Sequence, residues 1–211
     1  VVMHDKLDVI AVEVGAPQLP FSHTLSPWAS VCLNLAPDHI DHFGDFDQYR
    51  NAKARIYERT QCAAVYNGHE EATMSMVESA DVLEGCRAIG FTRGIPALSE
   101  LGVVDKALVD RAFISNRMDY AQELALVSDI HPAAKHNIEN ALAAAAVARA
   151  FGTLDSPDLN RVSPTAVQEG LRNFAPAPHR NAVVANIDGV TYVDDSKATN
   201  AHAADTSLSS Y

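Results

Sequence analysis

A chain of 211 residues with 47% hydrophobic and 20% charged side chains is long enough for one large domain, or one and part of another, around a real core. Its formal net charge of -11 argues against a non-specific nucleic-acid binder, which needs a basic face, and leaves room for an anionic ligand held by local donors. No run approaches ~20 uninterrupted apolar residues, the opening Val1-Val2-Met3-His4-Asp5 lacks a signal peptide's basic and apolar regions, and Cys32, Cys62 and Cys86 show no C-x-x-C spacing and read as free thiols in a reducing cytoplasm.

In chain order, residues 7–14 are nearly continuously apolar, Asp8 aside, and predict a buried parallel strand broken by Gly15 and Pro17. Residues 29–35 predict a second. Asp45 or Asp47 caps a helix running to about residue 59, with Phe46, Tyr49, Ala52 and Ile56 on one face. Residues 62–66 and 87–91 predict strands, with a helix over 70–80 between them. Residues 98–127 carry short alternating runs, which predict small antiparallel strands at the sheet's edge. An alanine-rich helix covers 138–151, with Asn137 as its cap and Gly152 as its stop. Ser163 caps a further helix to Asn173, with Pro164 at its first position and Leu171 and Phe174 facing in. Ala175-Pro176-Ala177-Pro178 is a stiff extended linker. Beyond it, 181–186 and 190–193 flank Asp188-Gly189 as a hairpin, and 201–209 opens a helix. Strands alternating with helices predict the α/β class with a mostly parallel sheet. The division predicted is 1–176, the later part of one domain, and 177–211, the first elements of another.

Two constellations stand out for chemistry. One is Asn34-Leu35-Ala36-Pro37-Asp38-His39-Ile40-Asp41-His42-Phe43-Gly44, followed by Ala52-Lys53-Ala54-Arg55-Ile56-Tyr57. It puts four metal-binding or proton-transfer groups within five residues at the carboxyl end of a predicted strand, where open α/β sheets place ligands. Read alone, an Asp/His run caps a helix and a helix lysine faces water, and those are the common fates of such residues. The other is Asp194-Asp195-Ser196-Lys197-Ala198-Thr199-Asn200, preceded by Pro178-His179-Arg180. With His136-Asn137 and Asn140-Ala141-Leu142-Ala143-Ala144 between them, these pieces resemble the Mur ligases, in that family's order and over nearly the whole chain. The last two pieces point to the branch that joins D-glutamate to UDP-N-acetylmuramoyl-L-alanine.

The resemblance implies a Mur ligase central ATPase domain followed by the start of a Rossmann-like, amino-acid-binding domain. It implies ATP-dependent amide formation through an acyl phosphate in peptidoglycan precursor synthesis, with UDP-N-acetylmuramoyl-L-alanine, D-glutamate and ATP as reactants, Mg²⁺ as cofactor, and a cytoplasmic monomer that binds neither nucleic acid nor membrane. Residue by residue, it makes Glu13, His39 and Lys53 the metal-site groups, Lys53 as a carbamate. Lys53 and His39 take the catalytic roles. Asn137, Asn140, Arg180, Asp195 and Lys197 fall to ATP, and Gln18, Lys197 and Thr199 to substrate. Val14-Gly15-Ala16-Pro17 departs from the family's pattern, which carries two serines after the glutamate. No G-x-x-x-x-G-K-[ST] phosphate loop occurs in the 211 residues, so the expectation is a fragment inactive by itself. Another Mur-type or folylpolyglutamate-type ligase and a non-catalytic nucleotide-binding relative are the alternatives.

Overall fold

The computed structural model describes residues 8–151 and 162–209, the side chain of His202 excepted. Six strands form one sheet in the order β1-β2-β3-β4-β5-β6: β1 Ala29–Cys32, β2 Ala63–Asn67, β3 Arg87–Phe91, β4 Glu100–Val104, β5 Ala107–Asp110 and β6 Gln122–Leu126. The pairings from β1 to β4 are parallel, and β4-β5-β6 continue antiparallel as the segment 98–127 predicted. Gly102 is needed where β4 meets the preceding loop, because a Cβ there would stand 2.5 Å from the Gly94 carbonyl oxygen.

The helices are α1 Ile40–Phe43, α2 Phe46–Ala54, α3 Glu71–Glu78, α4 Lys135–Ala150, α5 Pro164–Asn173 and α6 Ala201–Leu208. Alternation along β2 sorts the two layers: Ala63 and Val65 face the larger core cluster under α4, while Ala64 packs with Cys32, Tyr57 and Met76 on the other side. Small side chains let α4 lie close across β1, β2 and β3; Ala141, Ala143, Ala145, Ala146 and Ala150 are all buried there. A second, two-stranded antiparallel sheet, β7 Ala182–Ile187 with β8 Val190–Asp194, stands apart from the first. Among the described residues no helix is long and apolar enough to cross a membrane. Cys32, Cys62 and Cys86 are free thiols.

Three local expectations need correction. Residues 8–14 form no strand: an apolar run becomes one only where a ladder partner meets it, and among the described residues β1 pairs with β2 alone. Val9, Ile10 and Val12 are accordingly 53%, 62% and 69% exposed. Asn137 does not cap α4. The cap position is Ala134, without a side-chain bond, and the Asn137 amide donates backward to the Pro132 carbonyl at 3.0 Å. Phe174 is exposed where an inward face was expected, since α5 ends one residue before it, whereas Leu171 does pack on the core. By contrast, Asp45 caps α2 by accepting from the Gln48 N–H, and Ser163 caps α5 by accepting from Ala166. Gly152 lies outside the described residues.

Candidate functional site

The chain leaves β1 along a tightly held path. Tyr57 is fully buried, accepts the Cys32 N–H at 3.0 Å and donates to the Val65 carbonyl at 2.7 Å, so it ties β1 to β2; burial pushes its phenol far up. Asn67, at the end of β2, donates to the Leu33 carbonyl at 3.1 Å. The next carbonyl, Asn34, then accepts from Lys53 Nζ at 3.0 Å, and that ammonium stands 5.5 Å from the Tyr49 ring centroid. Lys53 is thus held by a carbonyl and an aromatic face, and among the described residues no carboxylate pairs with it. Burial raises the neighbouring Cys32 thiol against the pull of Lys53, which keeps it an inert thiol.

Opposite stands the segment after α5. Lys197 N–H donates to the His179 carbonyl at 3.1 Å, Asn181 N–H to Asp195 Oδ1 at 2.9 Å, and His179 Nδ1 lies 2.6 Å from Asp194 Oδ2. These contacts staple the Pro178-His179-Arg180 turn to the Asp194–Asn200 run. The His179 contact, with Ser196 donors behind it, holds the Asp194 carboxyl at about 2, well below its ordinary range. A bond between Asn200 Nδ2 and Asp38 Oδ2, at 3.0 Å, joins this segment to the β1 side.

Between them lies a cavity of about 1140 Å³, lined by Glu13, Asn34, Asp38, Tyr49 and Lys53 from one side, His136, Asn137, Asn140 and the small residues of α4 from a second, and Arg180, Asp195 and Lys197 from a third. That volume admits a nucleotide with a second reactant. Burial pushes the His136 imidazole down, against the pull of Asp195 and Glu139, so it lines the wall as a neutral ring at neutral pH. Arg180, Lys197 and Lys53 bring positive charge to a chain that is acidic as a whole, which is what a phosphate-bearing ligand requires.

Of the residues singled out from sequence, the structure brings together Glu13, Lys53, Asn137, Asn140, Arg180, Asp195 and Lys197. His39, Gln18 and Thr199 do not line the cavity. His39 has a left-handed backbone, φ 52, at the start of α1, and its ring stands tilted beside Tyr49, 6.3 Å between centroids, with Nε2 3.7 Å from Asp38. Gln18 folds back to accept the Gly15 N–H at 2.9 Å. The sequence offered Asp38 only as one of four candidate metal or proton-transfer groups, and gave no individual role to Asn200 or His136. All three lie inside the motif runs, yet nothing in their spacing shows which neighbour each would find.

Among the described residues no three His, Cys, Asp or Glu side chains gather as a metal cage. Asp38 already accepts from His39 N–H and Asn200, and Asp195 from Asn181, while among the described residues the exposed Glu13 carboxylate has no such partner. A hard cation that takes one carboxylate and fills its other positions with water and phosphate oxygens fits this lining.

The Mur ligase middle domain family matches residues 2–148. The UDP-N-acetylmuramoylalanine–D-glutamate ligase of Streptomyces avermitilis is 54% identical over 204 residues, covering 97% of this chain and 42% of that protein. Its counterpart from Thermobifida fusca is 47% identical over 207 residues, covering 98% and 42%. The chain thus spans about two-fifths of the length of these relatives. Among solved structures, MurF from Acinetobacter baumannii superposes with a TM-score of 0.58 at 19% identity, over 86% of this chain and 36% of that one. MurF ligase from Thermotoga maritima in complex with ADP gives 0.55 at 18%, over 92% and 40%, and at such identities the likeness speaks for the fold alone. With the family model matching most of its residues, this chain belongs to the Mur ligase family.

Proposed function

We propose that this chain is the catalytic middle of an ATP-dependent ligase that joins D-glutamate to UDP-N-acetylmuramoyl-L-alanine. The observation that carries the reading is one cavity receiving Lys53, Asn140, Arg180 and Lys197 from four separate stretches of chain. The activity for which the relatives are named supplies the substrates.

In this reading Asn137 and Asn140 hold the adenine edge, with Ala141 and Ala144 as a flat apolar wall beside it. Arg180 and Lys197 take phosphate oxygens, the former as a planar fork and the latter as a point charge. The substrate carboxylate attacks the γ-phosphorus and ADP leaves. The amine of D-glutamate then attacks the acyl carbon and phosphate leaves. Every reactant is anionic, so positioning and charge neutralisation carry the catalysis. Glu13 would hold Mg²⁺, which when bound supplies that neutralisation at the phosphates. The carbamate at Lys53 is carried by the resemblance; what supports it here is that Nζ, at the Asn34 carbonyl, lines the cavity. His39 stays a ligand by resemblance alone, and Gln18 and Thr199 stay substrate contacts on the same footing.

The test is phosphate release from ATP by the whole polypeptide that carries this chain. It should require both the UDP-sugar and D-glutamate. Lys53→Ala should lower it by roughly 10²-fold or more, with partial rescue by formate or acetate. The 211 residues alone should release none. Turnover indifferent to D-glutamate, or a Lys53→Ala variant as fast as its parent, overturns the reading.

A further inference from the structure

Asp38 and Asn200 are 162 residues apart, and their side chains meet across the mouth of the cavity. Each end of this contact leads to a cavity lysine, one through a backbone carbonyl and the other along the chain. Asp38 follows Asn34, whose carbonyl holds Lys53, and Asn200 follows Lys197 by three residues. The amide orientation is fixed by chemistry. Asn200 Oδ1 accepts the Ala203 N–H at 2.8 Å and caps α6, so only Nδ2 is left to donate to Asp38. Asp38 Oδ1 accepts the His39 N–H at 2.9 Å, which leaves Oδ2 for Asn200. One amide therefore starts a helix and bridges to the opposite wall.

We infer that the Asp38–Asn200 hydrogen bond is the positioning contact that sets Lys197 opposite Lys53 across the cavity. The inference rests on the ligase reading for its kinetic consequence only. Neither side chain touches the reacting atoms in this role. A charge-assisted bond of this kind is short and directional, and its loss frees the 177–209 segment to sample other placements.

The two roles of Asn200 separate by substitution. Asn200→Asp keeps a capping oxygen for α6 but sets a carboxylate against Asp38, turning attraction into repulsion. Asn200→Ser keeps a capping oxygen and removes the amide donor. Asp38→Asn combined with Asn200→Asp restores every contact in reversed sense. The amide now at position 38 donates to the carboxylate now at position 200, and its oxygen still accepts the His39 N–H. The exchanged carboxylate still caps α6.

Two readouts decide the matter in the whole polypeptide, in a Cys86→Ser background. The first is the distance distribution between spin labels at Glu71→Cys on α3 and Asp205→Cys on α6, both exposed positions. The parent and the double exchange should give one narrow distribution, and Asn200→Asp and Asn200→Ser a broad one. The second is phosphate release. Asn200→Asp should lower kcat by roughly tenfold, with KM for the UDP-sugar held within about twofold, and the exchange should restore kcat. A narrow distribution in Asn200→Asp and Asn200→Ser, or an exchange that leaves distance and kcat as impaired as in the single variant, overturns the inference. If the parent itself releases no phosphate, the ligase reading fails, and the distance measurement still decides the positioning contact.

Discussion

Asp110 has no access to solvent, and a carboxylate in that position survives only if every lone pair is answered. Here Oδ1 accepts the Ala112 and Phe113 N–H groups at 2.7 and 2.8 Å, and Oδ2 accepts from Arg149 Nε at 3.1 Å. Arg149 is itself 4% exposed and also donates to the Val162 carbonyl, so one guanidinium ties α4 to β5 and to the approach to α5. Removing the cation leaves a fully buried carboxylate without its ion-pair partner. Arg149→Ala should therefore lower unfolding free energy by about 3–5 kcal/mol, and pairing Arg149→Met with Asp110→Asn should recover much of it. Denaturant titration checks both, and an Arg149→Ala chain as stable as its parent sinks the argument. This pair was invisible in the sequence. A lone arginine in an alanine-rich helix reads as solvated, because periodicity shows a face but not the partner waiting on it. The same limit explains the candidate site. Motif runs named Lys53, Arg180 and Lys197, but only folding shows that Lys53 turns to the Asn34 carbonyl while His39, kept at φ 52, turns to Tyr49.

At the scale of elements, α5 is packed by Val167 and Leu171 and pinned on its polar side by a single carboxylate. Asp129 accepts from Arg172 Nε at 2.7 Å, from Gln168 at 3.0 Å and from the Leu126 N–H at 2.9 Å, which holds the outer face of α5 to the end of β6. The Arg172 contact leads these donors in holding the Asp129 carboxyl at about 2, against an ordinary 3.8. A depressed value means the stabilisation is present above the ordinary value and is lost as pH falls through the folded one. Protection of the α5 amides against hydrogen exchange should hold at pH 5 and fall between about pH 4 and 2. In Arg172→Ala that fall should begin nearer the ordinary carboxylate range, since the leading donor is gone. Identical profiles for the two proteins would refute the assignment. Elements with a self-contained signal were legible: the Asp45 and Ser163 caps, the hairpin around Asp188-Gly189, and the antiparallel edge strands. Residues 8–14 were not, because their apolar pattern promises a strand and only a neighbour can make one.

For the whole molecule, two sheets of unequal standing share one cavity. In the larger, β2 is flanked on both edges by strands and covered on both faces, with Ala63, Ala64 and Val65 at most 1% exposed. In the smaller, among the described residues β7 and β8 pair only with each other, and Val183, Val184, Ile187 and Val190 are 55–63% exposed. A two-stranded sheet is marginal in water unless something covers it. What holds it in place here is polar: the His179, Asn181 and Lys197 contacts at its base and the Asp38–Asn200 bridge. Local opening free energy tracks buried apolar contact, so the two sheets should open independently in the 211-residue chain. Amides of β7 and β8 should exchange at least ~100-fold faster than those of β2 and β3 in mass-resolved hydrogen exchange. A phosphate-bearing ligand gripped from both walls would slow exchange in the hairpin, because the hairpin's opening breaks the cavity. Uniform protection across both sheets would mean that they form one cooperative unit, and the cavity would then be a fixed feature rather than one assembled by the polar contacts across it.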